Sequence, residues 1–343
     1  DMKWRTGLSY DDVLLVPQYS DIRSRREINL ESSLDNNIVL KLPIISSPMD
    51  TVTESAMASR MSQCGGLGIV HRYNTIAQQV EITKNIHKGS QYGCALGVKG
   101  DFIERAQELY LNGTRMFCLD VAHGHHVMMK KALREIKTLF QGSDVHIMAG
   151  NVATRDAFED LANWGADSIR CNIGGGSICS TRIQTGHGLP GFETILDCFN
   201  ANIKRDVKII ADGGIRNSGD IVKALAAGAD FVMLGSILAG TIESPGTIVI
   251  DANGNKRKVY RGMASKEAQF NWKGSHGSNE GIATTVPYKG EASQILIELE
   301  NGIRSGLSYS GARTILELQT KAKFIIQTNA GQSESRTHIL GAN

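Results

Sequence analysis

The 343-residue chain has no uncharged stretch of 18 residues, so no segment reads as a membrane-spanning helix. It also lacks charge of one sign. Its 37 Lys and Arg against 35 Asp and Glu leave a net charge of +2, with no dense basic block. That balance removes the electrostatic case for a nucleic-acid or membrane surface. There is no Cys-x-x-Cys pair. The six cysteines (Cys64, Cys94, Cys118, Cys171, Cys179, Cys198) are scattered, four of them in or beside apolar runs, which predicts a reducing compartment and thiols serving mostly as core filler. Residues Asp1 to Arg5 carry no apolar signal region, and a soluble cytoplasmic protein is expected. Proline is scarce at six residues while glycine reaches 37. Glycine so far above its usual share of about 7% implies many tight loops and close backbone approaches.

What is present is a rhythm. Short apolar runs at Leu42–Ser47, Gly68–His71, Cys94–Val98, Met116–Asp120, Val145–Gly150, Ser168–Ile173, Lys208–Asp212 and Phe231–Gly235 alternate with amphipathic or loop stretches. Gly65, Gly113, Gly165 and Gly228 each precede such a run, where a helix C-cap turning into a buried strand requires them. Eight βα units predict an α/β fold, a (β/α)8 TIM barrel forming one catalytic domain over 1–343, with a doubly wound sheet as the weaker option. Residues 242–290 break the rhythm and read as a mobile flap over the barrel mouth. Helical stretches Glu291–Gly302 and Gly311–Lys323 follow, then a polar tail over 329–343. Trp4 and Trp164 are assigned to packing.

A barrel of this kind places its chemistry at the C-terminal strand ends. Polar residues cluster there: the 46–50 run Ser-Ser-Pro-Met-Asp, His71-Arg72, Asp120, Asn151, Cys179 and Asp212-Gly213-Gly214. The strongest feature is the run from Gly174 to Arg182, Gly-Gly-Gly-Ser-Ile-Cys-Ser-Thr-Arg, directly after the sixth strand. There a cysteine at the barrel mouth is either a nucleophilic thiol or an incidental residue of a glycine-rich turn. Gly213-Gly214 and Gly235-Ser236 follow strands seven and eight, the habitual phosphate site of the fold. Asp212 just before them suits ribose hydroxyls, or caps a helix. His123, His125 and His126 resemble a metal cluster only superficially, having no carboxylate or thiol at ligand spacing. Glu280, within the flap, reads from composition as a surface residue.

With these residues assembled, the chain resembles the IMP dehydrogenase/GMP reductase family over nearly its whole length. The motifs stand in the family's order: Gly7 to Pro17 (Gly-Leu-Ser-Tyr-Asp-Asp-Val-Leu-Leu-Val-Pro), Ser47 to Thr51, the Gly174–Thr181 cysteine loop, Asp212 to Arg216, and Tyr260 to Met263. The resemblance implies a tetrameric TIM barrel that binds a purine 5′-monophosphate and a nicotinamide cofactor. It implies Cys179 as nucleophile at purine C2, with Thr181 and Glu280 as proton relay. Phosphate is expected on Ser47, Ser177, Gly214, Gly235, Ser236 and Tyr260, ribose on Asp212, and the base near Met49, Gly262 and Met263. Asp120, Asn151 and Arg170 are expected on the nicotinamide side. The carbonyls of Gly174, Gly176 and Cys179 resemble a potassium loop, completed by Glu334 and Ser335 from a neighbouring subunit.

Within the family, Arg72–Gly93 leaves no room for the CBS pair that dehydrogenases typically insert after the second strand. No Arg-Tyr pair, which a dehydrogenase uses to activate water, occurs between Met263 and Glu280. The run from Asn279 through Gly290 resembles the reductase pattern, so the resemblance implies a homotetrameric GMP reductase using NADPH and a potassium ion. Arg170 and the tail over 330–335 are dehydrogenase-like, and the arginine that animal reductases use against GMP is replaced here by Gly277. The alternatives are an IMP dehydrogenase with a short flap and a non-catalytic nucleotide-binding protein.

Overall fold

The computed structural model describes residues 4–204, 206–263 and 283–336. Eight parallel strands close into a barrel: β1 (Ile44–Ser46), β2 (Leu67–Val70), β3 (Tyr92–Leu96), β4 (Met116–Asp120), β5 (His146–Val152), β6 (Ser168–Cys171), β7 (Lys208–Asp212) and β8 (Phe231–Leu234). Closure is made by β8 on β1, where Leu234 lies beside Ser46. Each strand falls on one of the eight predicted runs, and the doubly wound alternative is excluded.

Alternation along each strand sorts the core into two layers. Met116 and Cys118 of β4 pack with Ile45, Ile69, Met148, Ile210 and Phe231 in one buried cluster, while Phe117 and Leu119 join the larger cluster shared with the helices. The helices among the described residues are α1 (Ser55–Gln63), α2 (Ile76–Lys84), α3 (Phe102–Leu111), α4 (Val127–Leu139), α5 (Arg155–Asn163), the short α6 (Thr181–Thr185), α7 (Gly191–Ala201), α8 (Ser218–Ala227), α9 (Ala292–Tyr309), α10 (Ile315–Lys321) and α11 (Asn329–Glu334), of which α6 and α11 stand outside that cluster. Strand-to-helix loops end on capping side chains, as where Thr154 accepts from Ala157 N and Asn217 from Asp220 N. The return turns run through Gly65, Gly113, Gly165 and Gly228, all at φ between +90 and +125°, a left-handed region where a side chain is strained. β2 passes to α2 and on to β3 with no inserted domain.

After β8 the chain forms an antiparallel sheet of β9 (Val249–Ile250), β10 (Lys256–Arg261) and β11 (Ala283–Pro287). Lys258 pins its base: the buried ammonium donates to Thr241 O at 2.9 Å and Ser244 O at 2.7 Å. Burial lowers its pKa, against a smaller upward pull from Glu243. Residues 264–282 of the flap, including Glu280 and Gly277, lie outside the described residues.

Two sequence expectations need correction. α9 runs to Tyr309, beyond the predicted end at Gly302, because Ile303 and Leu307 carry its buried face onward. Within the polar tail, α11 starts where Thr328 accepts from Gly331 N. Trp4 is 85% exposed and packs no core, while Trp164 is partly buried beside His125.

Candidate active site

The C-terminal strand ends enclose a cavity of about 420 Å³, a size typical of small-molecule sites. One half is a small polar cradle. Ser47, just after β1, donates its hydroxyl to Leu234 O at 2.9 Å, which ties the β1 loop to β8. A methyl group placed on Gly235 would lie 3.0 Å from both Ser47 Oγ and Tyr260 Oη and 3.2 Å from Met49 Sδ. The missing side chain therefore leaves a notch floored by backbone and walled by two hydroxyls, and Gly235 O accepts from Leu238 N and Ala239 N as a helical turn begins there. Leading N–H groups of such a turn suit an anion. Burial pushes the Tyr260 hydroxyl up to about 12, against an opposing hydrogen bond with Ser177, so it is a neutral donor at physiological pH.

Gly213 and Gly214 are both left-handed, at φ +84° and +74°, and they fold the β7 loop onto the cysteine loop. A Cβ on Gly213 would sit 3.1 Å from Gly176 N. At the other end of the cysteine loop, the half-buried Cys179 thiol donates to Thr181 Oγ1 at 3.1 Å, and both residues line the cavity. Gly176 O accepts from Cys179 N at 3.0 Å. Cys94, Cys118, Cys171 and Cys198 are buried, as expected of core thiols.

The second half of the cavity is floored by a charged chain crossing the barrel. Arg170, within β6, donates to Asp120 Oδ1 at 2.6 Å and Asp212 Oδ2 at 2.9 Å. Burial pulls the Arg170 pKa down, but the two carboxylates outweigh it and hold the guanidinium well above its ordinary value. Asn151 Nδ2 donates to Asp212 Oδ2 at 2.8 Å and to Asn172 O at 3.1 Å. Arg72, after β2, donates to Asp120 O at 3.0 Å and stacks over the Tyr73 ring at 4.9 Å. Buried Arg72 Nε, Asn151 Oδ1 and Arg170 Nε have no hydrogen-bond partner among the described residues. Donors and an acceptor together fit a planar carboxamide.

Asp120, Asn151, Arg170, Asp212, Cys179, Thr181, Ser47, Met49, Ser177, Gly174, Gly176, Gly214, Gly235, Ser236, Tyr260, Gly262 and Met263 all line this one cavity. The helix-capping alternative for Asp212 fails, since Asn217 caps α8. Glu334 and Ser335 lie on and just after α11, where Ser335 Oγ donates to Gln327 Oε1 at 3.0 Å, and they do not line it. Sequence reasoning placed Arg72 among the polar strand-end residues without giving it a role, and it missed Tyr73 and Asn172. His125 pairs with Asp160 at 2.7 Å and His126 caps α4, and no metal-binding group occurs among the described residues.

Fold and site together define a closed parallel barrel whose cysteine loop lines the same cavity as the small polar cradle at Gly235. The chain belongs to the IMP dehydrogenase / GMP reductase domain family, which matches residues 7–338. The family's members are oxidoreductases of purine metabolism that use nicotinamide cofactors. An inosine-5′-monophosphate dehydrogenase from Nitrosopumilus maritimus is 34% identical, covering 98% of this chain and 99% of that protein. Its alignment spans 474 residues, more than this chain contains, so that relative carries positions with no counterpart here. An inosine-5′-monophosphate dehydrogenase from Cryptosporidium parvum is 39% identical over 97% of this chain and 95% of that protein. The crystal structure of a cysteine-to-alanine GMP reductase from Trypanosoma brucei, in complex with guanosine 5′-monophosphate, superposes with a TM-score of 0.91 at 30% identity, covering 98% of both chains.

Proposed function

We propose that this protein is an NADPH-dependent GMP reductase, converting GMP to IMP and ammonia through a purine held on Cys179. The observation that carries the reading is the Cys179 thiol donating to Thr181 Oγ1 at 3.1 Å on the cavity wall. The direction of the reaction rests on the sequence: between Met263 and Glu280 there is no Arg-Tyr pair to activate water for hydrolysis of the adduct.

In the proposed sequence, the Cys179 thiolate forms a bond to purine C2. Thr181 and Glu280 pass a proton to the C2 amino group, and the C2–N bond breaks to release ammonia. General acid assistance of this kind is worth about 10²–10⁴-fold. NADPH, when bound, supplies the hydride to C2. The C2–S bond then breaks, returning its electron pair to Cys179 and leaving IMP. Ser47, Ser177, Gly214, Gly235, Ser236 and Tyr260 hold the phosphate, Asp212 the ribose, and Met49, Gly262 and Met263 the base. Asp120, Asn151 and Arg170 seat the nicotinamide. Carbonyl oxygens of Gly174, Gly176 and Cys179 form a hard-donor set suited to potassium, which Glu334 and Ser335 of a neighbouring subunit would complete in a homotetramer.

One observation favours a second reading, IMP dehydrogenase: the dehydrogenases above are 34% and 39% identical, against 30% for the GMP reductase structure. The test is absorbance at the reduced-nicotinamide band with potassium present. Loss of signal with NADPH and GMP, with ammonia released, supports the reductase. A gain with NAD and IMP overturns it in favour of the dehydrogenase, and nucleotide binding with no turnover in either mixture would make the protein a binder only.

A further inference from the structure

We propose that Asn172 is a positioning residue that sets the conformation of the Cys179 loop, acting as a matched pair with Gly175; the inference rests on the reading of Cys179 as nucleophile. Asn172 directly follows β6 and is only 4% exposed. Its Nδ2 donates to Gly213 O at 3.3 Å, and its main-chain oxygen accepts from Asn151 Nδ2 at 3.1 Å. One residue thus joins the ends of β5, β6 and β7, through its side-chain amide to Gly213 and its main-chain oxygen to Asn151.

The space it fills is the space a side chain at 175 would need. A Cβ built on Gly175 would fall 2.1 Å from Asn172 Nδ2 and 2.8 Å from its Cγ and Oδ1, and these are the three nearest atoms. The Gly175 backbone lies outside the left-handed region, so the conformation would accept other residues. The amide is what excludes them. Gly191, at the start of α7, leaves room on another side, its Cβ position being 3.3 Å from the same nitrogen. The amide therefore fixes the distance between Gly175 and Gly213 O. Through the turn in which Gly176 O accepts from Cys179 N, it also fixes where the thiol sits relative to Asp212. Asn172 Oδ1 is buried without a hydrogen-bond partner among the described residues, a costly arrangement for a group serving only as filler.

A double-mutant cycle tests the pairing, using Gly175→Ala, Asn172→Gly and the double variant. Two readouts are taken on the full chain: kcat and KM with GMP and NADPH, and the rate of Cys179 alkylation by iodoacetamide, followed on the Cys179 peptide by mass spectrometry. Gly175→Ala is expected to lower kcat and shift alkylation by about 10–100-fold, the scale for a misplacement of about an ångström, with KM little changed. Adding Asn172→Gly is expected to restore both to within about threefold of Asn172→Gly alone. A double variant as impaired as Gly175→Ala, or a Gly175→Ala protein equal to wild type, overturns the proposal. If Gly175→Ala does not fold, recovery of a cooperative melt in the double variant supports the pairing, and no recovery overturns it. Should wild type show no GMP turnover, the function reading fails while alkylation, which needs no substrate, still decides the pairing.

Discussion

Arg170 offers the sharpest test of how the barrel mouth is held together. Its side chain is 8% exposed, against 14% and 16% for Asp120 and Asp212, so both ion pairs are well shielded from water. Arg170→Met keeps much of the volume and removes the guanidinium bonded to both carboxylates, leaving Asp212 facing a buried methyl and Asp120 with Arg72 Nε at 3.9 Å. Breaking a buried pair by deleting one partner costs about 3–5 kcal/mol, because the surviving charge stays desolvated. At about 2.1 cal/mol/K per residue, a chain of this length unfolds with an entropy near 0.7 kcal/mol/K, so the midpoint should fall by about 4–7 °C. Arg170→Lys should fall between wild type and Arg170→Met, since an ammonium cannot span both oxygens as the planar fork does. Adding Asp212→Asn to Arg170→Met should recover part of the loss by removing the stranded charge, since Asp120 keeps Arg72 at 3.9 Å. The assay is urea denaturation followed by circular dichroism, with thermal melts alongside. A change under about 1 kcal/mol for Arg170→Met, the range of exposed pairs, would refute the reasoning.

Three further outcomes are expected. Cys179→Ala should abolish turnover while nucleotide affinity, read by calorimetry, stays within about threefold, because a nucleophile contributes to the transition state rather than to ground-state binding; retained turnover would sink the covalent assignment. Gly235→Ala should raise KM for the nucleotide by about 10–100-fold with kcat much less affected, because its methyl fills the notch between Ser47 and Tyr260 and each charge-assisted bond lost is worth about 1.5–3 kcal/mol; an unchanged KM would place the phosphate elsewhere. Stability should fall as pH rises from about 10. Burial raises the Tyr10 and Tyr73 hydroxyls and pushes Tyr260 up to about 12, so these tyrosines stay neutral in the fold while the unfolded chain ionises. Each contributes stability that is complete below pH 10 and is lost at up to about 1.4 kcal/mol per pH unit above it. Urea midpoints at pH 9, 10 and 11 measure this, Tyr260→Phe should flatten part of the slope, and a midpoint independent of pH would contradict it.

The barrel was legible because its signals are local. A strand buried on both faces needs a run of apolar residues, and a helix returning to such a strand needs a residue tolerant of positive φ. Val145–Gly150 and Gly165, for instance, announce a strand and a return turn with no reference to the rest of the chain. The length of α9 was misjudged for the complementary reason: Gly302 looks like a stop, yet it packs against Ser218, where a Cβ would come within 2.2 Å of the hydroxyl. That glycine serves helix contact and not termination, which no local pattern reveals.

The site divides in the same way. Cys179, Asp212 and Gly235 stand out in sequence because a thiol, a carboxylate and a glycine at predicted strand ends have few structural uses there. Barrel closure determined the rest by bringing distant residues within bonding range: Arg170 to Asp120 and Asp212, 50 and 42 positions away in sequence, and Ser47 to Leu234, 187 away. Asn172 reads as the tail of a strand until folding shows its amide occupying the place of a side chain at Gly175. Residue type and periodicity specified which strands form and which ends carry chemistry. Only the closed barrel decided which charges neutralise each other, since that depends on distances and burial that exist once all eight strands have met.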